Sequence, residues 1–301
     1  MNLSRFKGVY SATFTPYDKH GRVDIEMQGR IIDFQLRNGI KGLFVCGSTG
    51  EGPMLDETER ILVAENAIKC SKGIGTTIIH VGHVSADVAK KLSRKACEHG
   101  ADAVSSIQPY YYHFSEEIEA RYYQDLAESV DIPMIVYIYP KAAGQGISGK
   151  HVLNLLSFKN VIGAKYTGYD YYTISSIFKR APENKLLLSG ADEMMMTGLI
   201  YGTCGSIGTF QNMLPRPFVK LYESFNAGEM DKMRQMQSRI NDLIYFVLSK
   251  SDMSYFKATM RYAGFDCGYA RPPFKQLTEK EYSSFAQELE QFDDLFVMSK
   301  Q

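Results

Sequence analysis

Residues 41–83, KGLFVCGSTGEGPMLDETERILVAENAIKCSKGIGTTIIHVGH, decide the fold. A short apolar run, KGLFVCG, passes through a turn of small residues into DETERILVAENAIKCS, whose apolar positions recur at helical spacing, and TTIIHVGH is apolar again. The unit is strand, then helix. Working outward, the same unit recurs: GVYSATFT before IEMQGRIIDFQLRN, TTIIHVGH before SADVAKKLSRKACEHG, DAVSSIQP before EEIEARYYQDLAESV, and PMIVYIYP before GKHVLNLLS. NVIGAKYT before YTISSIFKRA, KLLLSG before EMMMTGLIYG, and CGSIGTF before a helix-rich tail complete eight strand candidates. Strands apolar along their whole length and separated by helices belong to a parallel sheet covered on both faces. A doubly wound open sheet is the rival, but it gathers its site at one switch point, whereas here polar and aromatic residues punctuate nearly every strand end. The expected fold class is therefore α/β, a (β/α)8 barrel over residues 1–211. Residues 212–301, which include the eighth barrel helix, form a C-terminal helical extension packed on it.

With 301 residues and 45% hydrophobic content, the chain is long enough for one such domain. Basic and acidic residues balance at 34 each, which gives no reason to expect nucleic acid or an anionic membrane as partner. Five cysteines without a CxxC pair suit a reduced, cytoplasmic interior better than a disulfide framework. No run of about 18 apolar residues predicts a membrane span, and the opening residues lack a signal-peptide pattern.

In a barrel the reactive inventory is whatever follows each strand. Lys165 is the sharpest feature, because VIGAKYTG sets an amine at the end of an apolar run. Low polarity disfavours the charged form of an amine and exposes its nucleophilic lone pair. A lysine at a strand end also snorkels or pairs with a carboxylate, so the position alone leaves both readings open. Tyr137, which ends PMIVY, can shuttle protons or simply fill the core. Ser48 and Thr49 sit in a turn whose hydroxyls and backbone N–H groups suit a carboxylate, or a plain helix cap. Tyr111 lies in an aromatic run fit for a proton relay, packing or an interface. Asp192 and Glu193 suit sugar hydroxyls, or a helix start; Thr209 adds a hydroxyl. His80 and His83 have no partner at ligand spacing, so no metal is expected, and no glycine pattern marks a nucleotide cofactor.

Taken in order, GSTGE (47–51), PYYYHFS (109–115), YxxP (137–140), GAKYTG (163–168), SGADEM (189–194) and GSIGTF (205–210) resemble the pyruvate-dependent class I aldolases. These are the superfamily of N-acetylneuraminate lyases and dihydrodipicolinate synthases. The resemblance runs from TFTP near the start to RPPF near the end. It implies a (β/α)8 barrel, a homotetramer, and catalysis without a cofactor through an imine between Lys165 and pyruvate. It further implies that Tyr137 transfers protons, that Ser48 and Thr49 hold the carboxylate, and that Tyr111 reaches a neighbouring subunit's site. Thr167, Gly190, Asp192, Glu193 and Thr209 are then the positions lining a sugar tail.

Within the superfamily, dipicolinate synthases carry an arginine just after the YxxP proline, whose fork suits a second carboxylate; here the segment is Pro140-Lys141-Ala142-Ala143-Gly144. The KYT sequence and the Asp192-Glu193 pair are similar instead to the sialic acid lyases. Thr209-Phe210-Gln211-Asn212 and Ile138 depart from the lyase pattern and bear on which sugar is taken. The resemblance thus implies reversible cleavage of N-acetylneuraminate to pyruvate and N-acetylmannosamine. Dipicolinate synthesis, 2-keto-3-deoxy sugar acid cleavage or dehydration, and a non-catalytic sugar-acid sensor are the alternatives.

Overall fold

The computed structural model of the chain describes residues 2–143 and 148–300; Gly144, at the end of the segment without arginine, lies outside them. Eight parallel strands close into a barrel in sequence order: β1 Gly8–Ala12, β2 Gly42–Val45, β3 Thr76–His80, β4 Ala103–Ile107, β5 Met134–Ile138, β6 Val161–Tyr166, β7 Leu186–Ser189 and β8 Gly205–Gly208. Each coincides with one of the eight apolar runs. Helices α1 Ile25–Arg37, α2 Glu57–Ser71, α3 Ala86–His99, α4 Glu116–Glu128, α5 Gly149–Ser157, α6 Tyr171–Phe178, α7 Met195–Ile200 and α8 Pro215–Asn226 follow the strands in turn. A single helical turn, Pro140–Ala143, precedes α5.

The strands read as continuous apolar runs because both of their faces are buried. Phe44, Ile78, Ile107, Ile135, Leu188 and Ile207 pack together inside the barrel. The alternate residues Leu43, Val45, Ile79, Val104, Val136 and Ala164 join the layer beneath the helices, as the two-residue period of a strand requires. Closure of β8 on β1 depends on Gly205, where a Cβ would stand 1.9 Å from the carbonyl oxygen of Gly8. Caps fix the helix starts: Asp56 accepts from the Glu59 N–H, and the Glu59 carboxylate accepts from the Asp56 N–H at the start of α2.

After α8 come α9 Met230–Leu248, α10 Met253–Tyr262, α11 Glu279–Leu289 and α12 Asp293–Lys300. Their apolar faces share one cluster with Val9, Phe14 and Ile31 of the barrel's first unit and with Met195 and Leu199 of α7. The 211/212 division falls inside a 3-10 turn, Phe210–Asn212. There the Asn212 side-chain amide donates to the Ala12 carbonyl, and its oxygen accepts from Gln35. Among the described residues no helix is long and apolar enough to cross a membrane.

Candidate active site

Lys165 and Tyr137 lie directly beside each other on paired strands, at the same register position of β6 and β5. Both are buried, at 5% and 3% exposure, so the amine is enclosed in the barrel mouth and does not snorkel to solvent. The Lys165 ammonium nitrogen stands 4.1 Å from the centre of the Tyr137 ring and 4.5 Å from that of Phe44. No carboxylate pairs with it within ion-pair distance among the described residues. An amine bounded by aromatic faces is held in place without being neutralised by a counter-ion.

The Tyr137 hydroxyl accepts a long, 3.5 Å hydrogen bond from the Thr167 hydroxyl. Its ring stacks parallel on Tyr139 at 5.9 Å and meets His80 edge-on at 6.0 Å. His80 is not a strand-end surface group: it is buried, and its Nε2 accepts from the Ile107 N–H. Burial, with help from Arg60 and Lys165, pushes its pKa down to about 3.

Across the mouth, the Thr49 hydroxyl shares a 2.7 Å hydrogen bond with that of Thr209, linking the turn after β2 to the end of β8. Ser48, next to Thr49, is exposed. The turn is anchored from below by Glu51, which adopts a left-handed φ of 53°. Its carboxylate is fully buried and lies 2.8 Å from the Lys257 ammonium of α10, and it also accepts from the Arg271 N–H at 2.7 Å.

Asp192 does not cap its own helix. Its Oδ2 accepts from the Thr209 and Phe210 backbone N–H groups at 2.8 and 3.0 Å, while Oδ1 has no partner among the described residues. Burial raises its pKa to about 7, the two N–H donors opposing only part of that shift. Gly208 makes the arrangement possible, since a Cβ there would stand 1.5 Å from Oδ1. Gly190 serves a similar purpose: a Cβ would run into the Thr167 hydroxyl at 2.0 Å and stand 3.0 Å from Lys165 Cε. Glu193 accepts a 2.7 Å hydrogen bond from the Tyr169 hydroxyl.

The structure therefore gathers Lys165, Tyr137, Thr167 and Gly190 on one side of the mouth, and Thr49, Thr209 and Asp192 on another. Tyr111 stands apart, 76% exposed and packed edge-on against Tyr112. Phe44, Tyr139, Tyr169, Gly208 and the Glu51–Lys257 pair were not singled out from the sequence. Phe44 lies within the apolar run of β2 and Tyr139 just after β5, where nothing local sets them apart, and nothing local to Glu51 signals a partner on α10.

The sequence profile of the dihydrodipicolinate synthetase family matches residues 5–292. The N-acetylneuraminate lyase of Rhizobium meliloti is 32% identical over 280 residues, 93% of each chain. The crystal structure of N-acetylneuraminate lyase from Mycoplasma synoviae superposes with a TM-score of 0.90 at 30% identity, covering 99% of this chain and 100% of that one. That of dihydrodipicolinate synthase from Aquifex aeolicus also reaches 0.90, at 27% identity, with 96% and 98% covered. With the barrel, these likenesses make the chain an enzyme, a carbon–carbon lyase of the aldolase kind. It belongs to the dihydrodipicolinate synthetase family.

Proposed function

We propose that the chain cleaves N-acetylneuraminate to pyruvate and N-acetylmannosamine through an imine on Lys165. The observation that carries the imine is the buried Lys165 amine against the Tyr137 ring, with no carboxylate paired to it among the described residues. Lys165 in its neutral form attacks the C2 ketone of the open-chain acid; water leaves and the imine forms. The C4 hydroxyl gives up its proton through Tyr137, the C3–C4 bond breaks, and its electron pair moves into the imine to give an enamine. Protonation at C3 and hydrolysis release pyruvate and restore the amine.

Thr49, with its neighbour Ser48, supplies hydroxyl and backbone donors for the carboxylate at the mouth. Oδ1 of Asp192, lacking a partner among the described residues, is an acceptor for a hydroxyl of the sugar tail, and Glu193, Thr167 and Thr209 extend that lining. The absence of an arginine at 141 favours this tail over a second carboxylate. The relatives named N-acetylneuraminate lyase support the same choice. Tyr111, exposed in the single chain, fits a homotetramer in which a neighbouring copy covers it, and the site needs no cofactor.

The test is pyruvate release from N-acetylneuraminate, followed by coupled reduction of the pyruvate formed. Turnover is expected. If pyruvate is trapped on Lys165 but none is released from this sugar acid, the imine survives and the sugar assignment fails, in favour of another keto-acid aldolase reaction.

A further inference from the structure

Two amide side chains of the C-terminal extension, Gln237 and Asn241, reach the backbone of the Asp192–Glu193 turn. They stand four residues apart on α9 and so share one face of that helix. Gln237 is buried. Its Nε2 donates to the Asp192 carbonyl at 3.1 Å and to Asn241 Oδ1 at 2.8 Å, and its Oε1 accepts from the Met196 N–H at 2.9 Å. Asn241 Nδ2 donates to the Glu193 carbonyl at 3.1 Å. Three hydrogen bonds therefore hold three backbone groups of one short segment, and a fourth joins the two amides to each other.

The segment does not hold itself. Asp192–Met194 is a single 3-10 turn, and α7 begins at Met195 behind Met194, which makes no capping hydrogen bond. The first N–H groups of a helix have no partner within it. The carboxylate best placed in sequence to serve them is that of Asp192, and it is committed to the Thr209 and Phe210 N–H groups at the end of β8. Gln237 supplies from α9 the acceptor that the turn lacks, at the Met196 N–H.

The Glu193 side chain is fixed from a second element. Tyr169, in the connection after β6, donates its hydroxyl to Glu193 Oε1 at 2.7 Å, a charge-assisted hydrogen bond. Tyr169 is 68% exposed, so this bond lies at the rim of the mouth, whereas Asp192 is buried. The two carboxylates stand at different depths, and their spacing is set by groups outside the turn. Acceptors held in advance bind a flexible polyhydroxylated chain without the entropy cost of ordering themselves.

We propose that Gln237 and Asn241 of α9, with Tyr169, are positioning residues that set the Asp192–Glu193 turn for the sugar tail, so that the C-terminal extension governs selectivity for the hydroxylated end of the substrate. The selectivity rests on the function proposed above; the hold of Gln237 on the turn does not.

The test compares the full-length parent with Gln237→Met, which keeps the length of the side chain and removes its amide, and with Tyr169→Phe, which removes one hydroxyl. Leu289→Ala is the control: it opens the same apolar cluster from α11 and lowers stability without removing any of these hydrogen bonds. Hydrogen exchange of peptides covering 192–200 needs no substrate and should run about tenfold faster in Gln237→Met. For N-acetylneuraminate, KM should rise about tenfold in Gln237→Met and about threefold in Tyr169→Phe, with kcat within about twofold of the parent. The pyruvate concentration that half-saturates borohydride trapping should not move, and Leu289→Ala should match the parent in exchange at 192–200, in KM and in trapping.

Unchanged exchange in Gln237→Met overturns the hold on the turn. Equal shifts in Leu289→Ala, or a pyruvate half-saturation that moves as far as KM, reduce the three residues to general stability and overturn the selectivity. If the parent releases no pyruvate from N-acetylneuraminate, the sugar assignment has failed and the selectivity falls with it, while exchange still decides whether Gln237 holds the turn.

Discussion

Tyr137 and Lys165 are register partners on β5 and β6, and the Lys165 nitrogen lies 4.1 Å from the Tyr137 ring centre. Strand pairing rather than a flexible loop therefore sets the distance between the proposed nucleophile and the proposed proton carrier. Tyr137→Phe keeps the ring that bounds the amine and removes only the hydroxyl. Its expected effect is a fall in kcat of about 100-fold or more, with a pyruvate adduct still formed on Lys165 over long incubation. A full-rate Tyr137→Phe enzyme would remove the tyrosine from the mechanism.

Gly208 is the reason Asp192 can reach the end of β8. In Gly208→Ala the new Cβ would stand 1.5 Å from Oδ1, so the carboxylate must leave the Thr209 and Phe210 N–H groups. The expected result is a rise in KM for the sugar acid of about tenfold, the cost of one good hydrogen bond. The pyruvate half-saturation in trapping should be unchanged. Equal losses for both would place Asp192 outside the tail pocket.

The Asp192 carboxyl sets a pH dependence of stability. Its pKa rises from 3.8 to about 7 on folding, chiefly through burial. The folded state then binds the proton more tightly than the unfolded chain. The resulting stabilisation is fully present below pH 3.8 and is lost as pH rises through about 7. Asp192→Asn cannot ionise. Urea titrations between pH 4 and 8 should show the difference in stability between variant and parent moving in the variant's favour as pH rises. A pH-independent difference contradicts the assignment.

His80 works in the opposite sense, since its folded pKa is pushed down from 6.5 to about 3. Stability from a neutral buried imidazole is complete above pH 6.5 and is lost as pH falls towards 3. His80→Gln should flatten the acid limb of the stability profile. An unchanged acid limb would show that His80 does not set it.

The Glu51–Lys257 pair ties the C-terminal helices to the turn after β2, with both side chains essentially inaccessible. Lys257→Met leaves a buried, uncompensated carboxylate and should cost about 3–5 kcal/mol by chemical denaturation. Adding Glu51→Gln should recover part of that loss. A double variant as unstable as the sum of the two singles would show that the pair is not coupled.

The barrel was legible because each strand is buried on both faces, which leaves an apolar run such as GLFV at 42–45 with helical spacing on either side. Lys165 was visible for the same reason: a charge interrupts a run that is otherwise apolar. What depends on contact between distant strands was not. The Thr49–Thr209 hydrogen bond, the reach of Asp192 to the N–H groups of Thr209 and Phe210, and the Glu51–Lys257 pair join segments that nothing local connects. Asp192 read equally well as a helix start, and only the closed barrel shows that its carboxylate serves β8. The tyrosine run is exposed in the single chain, with Tyr111 76% exposed, and a role that depends on a neighbouring copy is not legible from one chain.

The imine is tested most directly by incubating the protein with pyruvate and borohydride and reading the intact mass. The expected result is one reduced pyruvate adduct per chain, mapped to Lys165 and absent from Lys165→Ala. No adduct, or an adduct that persists in Lys165→Ala, contradicts catalysis through this lysine.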